Sequence, residues 1–187
     1  MTDDINRMST EELGHLFPII LVDYDYSWPE VYLHEKGNIL KALSESPDLL
    51  VEHIGSTAIP GIYAKPTIDI MLIIPDTTNT DLLIRDLESI KYQYIPKPEN
   101  PPPHIMLAKG YSTKGFTGQT FHVHVRYTGC HDEIIFRDYL LKNPDIAEQY
   151  NDLKKVLLEK HKNDREKYTD GKTEFVKQIL RLASNNQ

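Results

Sequence analysis

The apolar and polar positions of this chain change period once, shortly after Tyr127. Before that point the pattern is that of strands with interleaved helices. Residues 49–55 and 67–74 read as strands, and the second, Thr-Ile-Asp-Ile-Met-Leu-Ile-Ile, is too apolar to be an edge. "HIMLAKGY" (104–111) and "QTFHVHVRY" (119–127) predict two more, with strict alternation in the second. A helix over 80–92 is expected from the spacing of Leu83, Leu87 and Ile90, with Thr80 as its cap. Earlier, Ser27 and Glu30 have capping-box spacing and Pro29 suits a first turn. Tyr32, Ile39, Leu40 and Leu43 then recur at near-helical intervals. "IPKPENPPPHI" (95–105) favours an extended surface loop. Beyond Tyr127 the chain is charge-rich and helical in period. Helices are expected near 131–142, 144–162 and 170–184, with a break at Asn143-Pro144. The sum is an α+β fold: a mixed sheet over 49–127, with the strand of Asp69 near its centre and flanking helices, then a C-terminal helical segment over 131–184. A single domain, 1–187, with its α/β core in 20–130, is the simplest division.

Composition narrows the function classes. The chain has 187 residues, 40% hydrophobic and 26% charged, with a formal net charge of -7. That charge argues against a broad nucleic-acid or anionic-lipid surface but leaves room for a small cationic pocket. The single cysteine, Cys130, excludes an internal disulfide framework and cysteine-rich zinc modules. No apolar run approaches a membrane span, and "MTDDINRMSTEELGHLF" does not read as a signal peptide. A cytoplasmic location is the expectation.

The candidate chemistry lies in "EHIGSTAIPGIYAKPTIDIMLII". Gly55-Ser56 offers backbone N–H groups and a hydroxyl at the rim of the sheet, which suits phosphate oxygens, or it is merely a turn. Asp69 places a carboxylate inside an apolar strand, where an unpartnered charge is costly. It either caps the preceding loop or faces a cleft. Residues 69 and 71 share one strand face, and His122 and His124 share one on theirs. If the strands are neighbours, Asp69 meets at least one imidazole. His53 could join them or orient Ser56. Lys65, Lys109 and Arg137 are candidate phosphate ligands, Arg137 having a salt bridge to the sheet as its alternative. Trp28 and Tyr26 read as core and helix-entry residues, and the run from Lys154 to Lys167 as a solvated helical face.

Together, "VDYDYSWPEVYLHEKGNIL", the 52–74 stretch, "FHVHVRY" and "FRDYLLKNPDIAEQYNDLKK" resemble the GrpB-like family, in the family's order and over nearly the whole chain from about residue 20. The resemblance implies a nucleotidyltransferase-like fold and, for function, metal-dependent transfer of a nucleotidyl group from a nucleoside triphosphate to an unknown acceptor. Asp69 and Ser56 would then be catalytic. Gly55, Ser56, Lys65, Lys109 and Arg137 would bind nucleotide, and Asp69, His122 and His124 a divalent magnesium, manganese or zinc ion. The chain departs from the superfamily pattern, which has Asp-x-Asp where this sequence reads Asp69-Ile70-Met71 and a carboxylate where it has His122-Val123-His124. One aspartate with two imidazoles is a softer donor set than three carboxylates. A degenerate nucleotide-binding or regulatory module, and a single-metal enzyme using the His-x-His strand, are the competing expectations.

Overall fold

The fold, a computed structural model, describes residues 8–44, 48–129 and 131–185; the first seven residues and Cys130 lie outside them. Five strands, β1 (Leu50–Ile54), β2 (Thr67–Ile74), β3 (Gln93–Pro96), β4 (Ile105–Ser112) and β5 (Gly115–Tyr127), form one mixed sheet in the order β1-β2-β5-β4-β3. β2 pairs antiparallel with β1 and parallel with β5, so it is interior, while β5 takes the centre. Helices α1 (Thr10–Leu16), α2 (Trp28–Ala42) and α3 (Thr80–Ser89) accompany the sheet. A C-terminal segment holds α4 (Asp132–Lys142), α5 (Pro144–His161), α6 (Arg165–Asp170) and α7 (Thr173–Asn185).

Parity along the strands sorts the two faces. Val51, Ile68, Ile70, Leu72, Ile74, Phe121, Val123, Val125 and Leu107 belong to the main core with Trp28, Tyr32 and Ile39 of α2 and Leu83 and Leu87 of α3. Each such side chain contributes about 1.5–3 kcal/mol by leaving water. The opposite face carries Ile54, Asp69, Met71, His122 and His124. There Ile54, Met71 and Ile73 pack on Ile134 of α4. The loop between β1 and β2 joins the sheet to the helical segment: Ile59 and Ile62 are buried with Leu140, Ala147, Tyr150 and Ile179. That anchoring explains why a turn with two prolines also carries isoleucines.

One irregularity decides which way a tyrosine points. Ala108 is opposite His122 and so faces the same side. Tyr111, three residues on, would face the other side in a regular strand, but the register shifts between Lys109 and Tyr111. Gly110 supplies the shift at φ 89°, and a Cβ there would lie 2.5 Å from the carbonyl oxygen of Gln119. Tyr111 thereby stacks on His122 with centroids 5.5 Å apart.

Several local expectations are corrected. Ser27 is helical in backbone and makes no side-chain cap; its own N–H donates to Asp25 Oδ1 at 2.8 Å instead. Asn79, not Thr80, caps α3, accepting from Leu82 N–H at 3.1 Å, and that helix ends at Ser89. Asn143 makes no capping bond; its side-chain amide donates to the carbonyl of Tyr139, closing α4 as Pro144 opens α5. Trp28 is buried as expected, whereas Tyr26 is 85% exposed and only edges Tyr24. The short elements α1, β3 and α6 were not foreseen.

Gly110→Ala tests the bulge. Left-handed backbone costs a non-glycine residue about 1–3 kcal/mol, and the collision with Gln119 adds to it. For a chain of this size about 2–4 °C of Tm is expected per kcal/mol lost in thermal unfolding.

Candidate functional site

Asp69, the third residue of β2, is half-buried in an otherwise buried strand and is matched in register to His122, with Met71 matched to His124. Its Oδ1 accepts from His122 Nδ1 at 3.1 Å and lies 3.4 Å from His124 Nε2. The side chain is half-buried, at 28% exposure. Burial alone would raise its carboxyl, but the bonds to His122 and His124 outweigh that and hold it well below the usual carboxylate range. The carboxylate therefore faces a cleft with both histidines and does not cap the preceding loop. His122 is pushed down chiefly by burial, with Asp69 opposing, a shift that favours its neutral form. Its hydrogen bonds select one tautomer: Nδ1–H donates to Asp69, and Nε2 accepts from the Tyr111 hydroxyl at 2.9 Å.

Gly55 is required by the same carboxylate. Its backbone is left-handed at φ 71°, and a Cβ would fall 2.6 Å from Asp69 Oδ2. Ser56 opens a short 3-10 turn, Ser56–Ala58, close to the buried Tyr150 hydroxyl. Lys154 of α5 also reaches it, Nζ to Oγ 3.5 Å, while donating to the main-chain carbonyl of Tyr63. Asn151, one turn earlier on α5, accepts from Tyr63 N–H at 2.8 Å, so α5 holds both polar groups of one peptide unit region in the β1–β2 loop.

Around Ser56 and Asp69 the structure gathers positive charge. Lys154 is 2% exposed, and burial pushes its ammonium down to about 7, helped by the charge of Lys172. Lys65 is pushed down to about 7 by burial and then by Lys172 and Arg165, with Asp69 opposing. Lys172 is lowered by burial, again with Asp69 opposing. Lys65 and Lys172 both lie over the Tyr168 ring, at 5.9 and 4.8 Å from its centroid. Among the described residues, no ion pair involves Lys65, Lys154, Lys172 or Arg165. Cations crowded together without carboxylate partners make a place where an anion relieves repulsion.

Gly55, Ser56, Lys65, Asp69, His122 and His124 thus come together, while three other candidates do not. Lys109 lies on the other face, opposite Phe121, with Nζ 2.7 Å from Glu35 Oε1 and over the Tyr92 ring. Arg137 is consumed in pinning α4 to β1, donating to Glu52 at 2.9 Å, to the carbonyl of His53 at 2.6 Å and to Asp138 at 2.8 Å. His53 also faces away, stacked on Tyr32 at 4.6 Å and bonded to Thr57 rather than Ser56; burial pushes it down to about 4. Lys154, Lys172, Arg165, Tyr111 and Tyr150 were missed. For Lys154 the signal was present: Ala147, Tyr150, Asn151, Lys154 and Leu157 form one buried helical stripe, so this lysine was never on a solvated face.

Asp69, His122 and His124 each offer one ligand atom, all within 4.8 Å of one another. A carboxylate oxygen and two imidazole nitrogens fit a zinc, manganese or iron ion. Among the described residues no helix is long and apolar enough to cross a membrane.

Residues 18–182 match the profile of the family described as GrpB protein. UPF0157 protein PA4798 of Pseudomonas aeruginosa is 41% identical over 85% of this chain and 65% of its own length. UPF0157 protein SCO7215 of Streptomyces coelicolor is 34% identical over 87% of this chain and 83% of its own. The crystal structure of conserved protein GrpB from Enterococcus faecalis superposes with a TM-score of 0.75 at 34% identity, covering 89% of this chain and 98% of that one.

Stability is expected to rise between pH 7 and 9. An unfolded Lys154 keeps its proton to near 10.5, whereas the folded one releases it through about 7. Across that window the unfolded chain binds more protons and raising the pH favours the fold; below it the full burial cost applies. Lys154→Met should flatten the rise in Tm measured from pH 6 to 9, and an unchanged profile would remove Lys154 from the account.

Proposed function

The chain belongs to the GrpB family, and on that premise we propose that it is a metal-dependent enzyme of nucleotidyltransferase type. In this reading it takes a nucleoside triphosphate with a divalent ion and moves a nucleotidyl group to an acceptor. The observation that carries the reading is the juxtaposition of the Asp69–His122–His124 donor set with unpaired cations at Ser56. Asp69, His122 and His124 hold the ion. When bound, it supplies positive charge to phosphate oxygens as bonds to phosphorus form and break. Lys65, Lys154 and Lys172 meet the remaining phosphate charge, and the Ser56 hydroxyl gives one further hydrogen bond. With the ion bound, His122 uses Nδ1 as its ligand atom and donates its Nε2–H to the Tyr111 hydroxyl, the reverse of the tautomer set by the Asp69 bond, so that Tyr111 fixes the ring as outer groups do for metal-ligating histidines. Transfer of this kind needs positioning and charge neutralisation more than covalent help from the protein.

A second reading has one observation in its favour. Met71, on the Asp69 face where the superfamily pattern has a second carboxylate, is fully buried against Ile54, Ile73 and Ile134. That position cannot hold a second ion, which supports a nucleotide-binding module with the transfer reaction lost. Turnover of nucleotide to pyrophosphate separates the two readings.

Calorimetry should find one manganese or zinc ion per chain. Asp69→Asn is expected to abolish binding with the fold intact, and His124→Ala to weaken it. Tyr111→Phe, which removes the outer bond to His122 and a longer 3.5 Å contact to Thr67, should cost about 10–100-fold in affinity. With the ion present, Ser56→Ala should weaken ATP binding modestly, by about 0.5–1.5 kcal/mol. If ATP fails to bind with magnesium, manganese or zinc, both readings fall.

A further inference from the structure

A cavity of about 340 Å³ opens beside the donor set, between the β4–β5 hairpin and the Pro18–Ile20 segment. Its walls are of two kinds. Tyr111, Phe116, Pro18 and Ile20 give apolar surface, whereas Lys65 and Arg165 give charge at one end. The aromatic wall is held from behind: Phe17 packs edge-on against Tyr111 and Phe116, at 5.2 and 5.1 Å between centroids. Phe116 remains 45% exposed, a large aromatic left at the cavity mouth.

Two connections tie this cavity to the site already described. Tyr111 lines it and bonds His122. Thr67 and Thr120, also in its lining, are hydrogen-bonded to each other at 2.8 Å where β2 begins to pair with β5, two residues before Asp69 and His122. Lys65 belongs both to the lining and to the cation group around Ser56. A ligand with phosphates among those cations therefore has a continuous path into an apolar, aromatic recess. The volume is at the small end for ligand cavities, enough for one ring system and its immediate substituents.

We infer that this cavity holds the planar ring end of the phosphorylated ligand, the nucleobase, against Phe116 and Tyr111, while the phosphates lie among Lys65, Lys154 and Lys172. This deepens the proposed function and rests on it. Stacking on aromatic side chains is tolerant of base identity, so the recess selects a ring over a bare polyphosphate more than one base over another.

The test compares ATP with inorganic tripolyphosphate, each titrated calorimetrically into the full chain with manganese. ATP should bind at least about tenfold tighter, since loss of one stacking side chain typically costs about 5–150-fold. Phe116→Ala, at a position 45% exposed and with Tm checked because the ring also edges Phe17, should remove most of that difference and leave tripolyphosphate unchanged. Ile20→Trp, filling the recess from the opposite wall, should do the same. Equal affinity for the two anions, with both variants neutral, overturns the ring subsite while the phosphate site stands. If neither anion binds, the proposed function itself fails and the ring subsite goes with it.

Discussion

A carboxylate inside an interior strand is the constraint around which this structure is arranged. Burying an uncompensated charge is costly enough that the chain must either neutralise Asp69 or surround it with donors. It does the second, and the consequences spread outward. Parallel pairing of β2 with β5 puts His122 directly alongside Asp69 and His124 one pair further on. Gly55 must lack a side chain because Asp69 Oδ2 occupies the place a Cβ would take. Gly110 must break the parity of β4 so that Tyr111 can fix the second nitrogen of His122. Two glycines and a tyrosine, distant in sequence, answer to one carboxylate.

The other face of the sheet shows what an ordinary buried charge looks like in the same molecule. Glu35, 2% exposed, is satisfied by Lys109, by the Tyr92 hydroxyl and by Asn38. Every strong partner is already supplied there, so nothing further is invited. Around Ser56 the balance is reversed: lysines are buried without an ion pair among the described residues, and burial pushes their ammonium groups down. That contrast, repulsion tolerated at one place while charges are paired carefully at another, is what favours the proposed anion site.

Much of this was legible in the chain. The apolar run of 67–74 gave an interior strand, and the parity of Asp69, His122 and His124 gave a common face, because strand geometry has a fixed period of two. The change of period after Tyr127 located the helical segment. What escaped has physical causes. Tyr111 was hidden by a bulge, since parity arguments fail wherever one residue is inserted. Lys109 was misplaced because a cation's charge is visible in sequence but its partner is not, Glu35 lying far from it along the chain, whereas for Arg137 the alternative reading, a salt bridge to the sheet, is the one the structure has. Lys154 was misread for the opposite reason, its charge outweighing the buried stripe on which it sits. Ser27 and Thr80 had the composition of caps, yet Asp25 and Asn79 took up the neighbouring N–H groups instead.

The grip of α5 on the β1–β2 loop has a consequence for the order in which the protein is made. Lys154 meets Tyr63 across 91 residues of sequence and Ser56 across 98. At ribosomal speeds of about 5–20 residues per second, the loop is in existence for roughly 5–20 s before its clamp is synthesised. During that interval the strands can pair and the main core can close, but Ile59 and Ile62 lack Ile179 of α7 to complete their cluster and the cation group has not assembled. The nascent chain thus acquires its sheet first and its cluster of lysines last. That cluster is a property of the finished polypeptide, never of the half-made one.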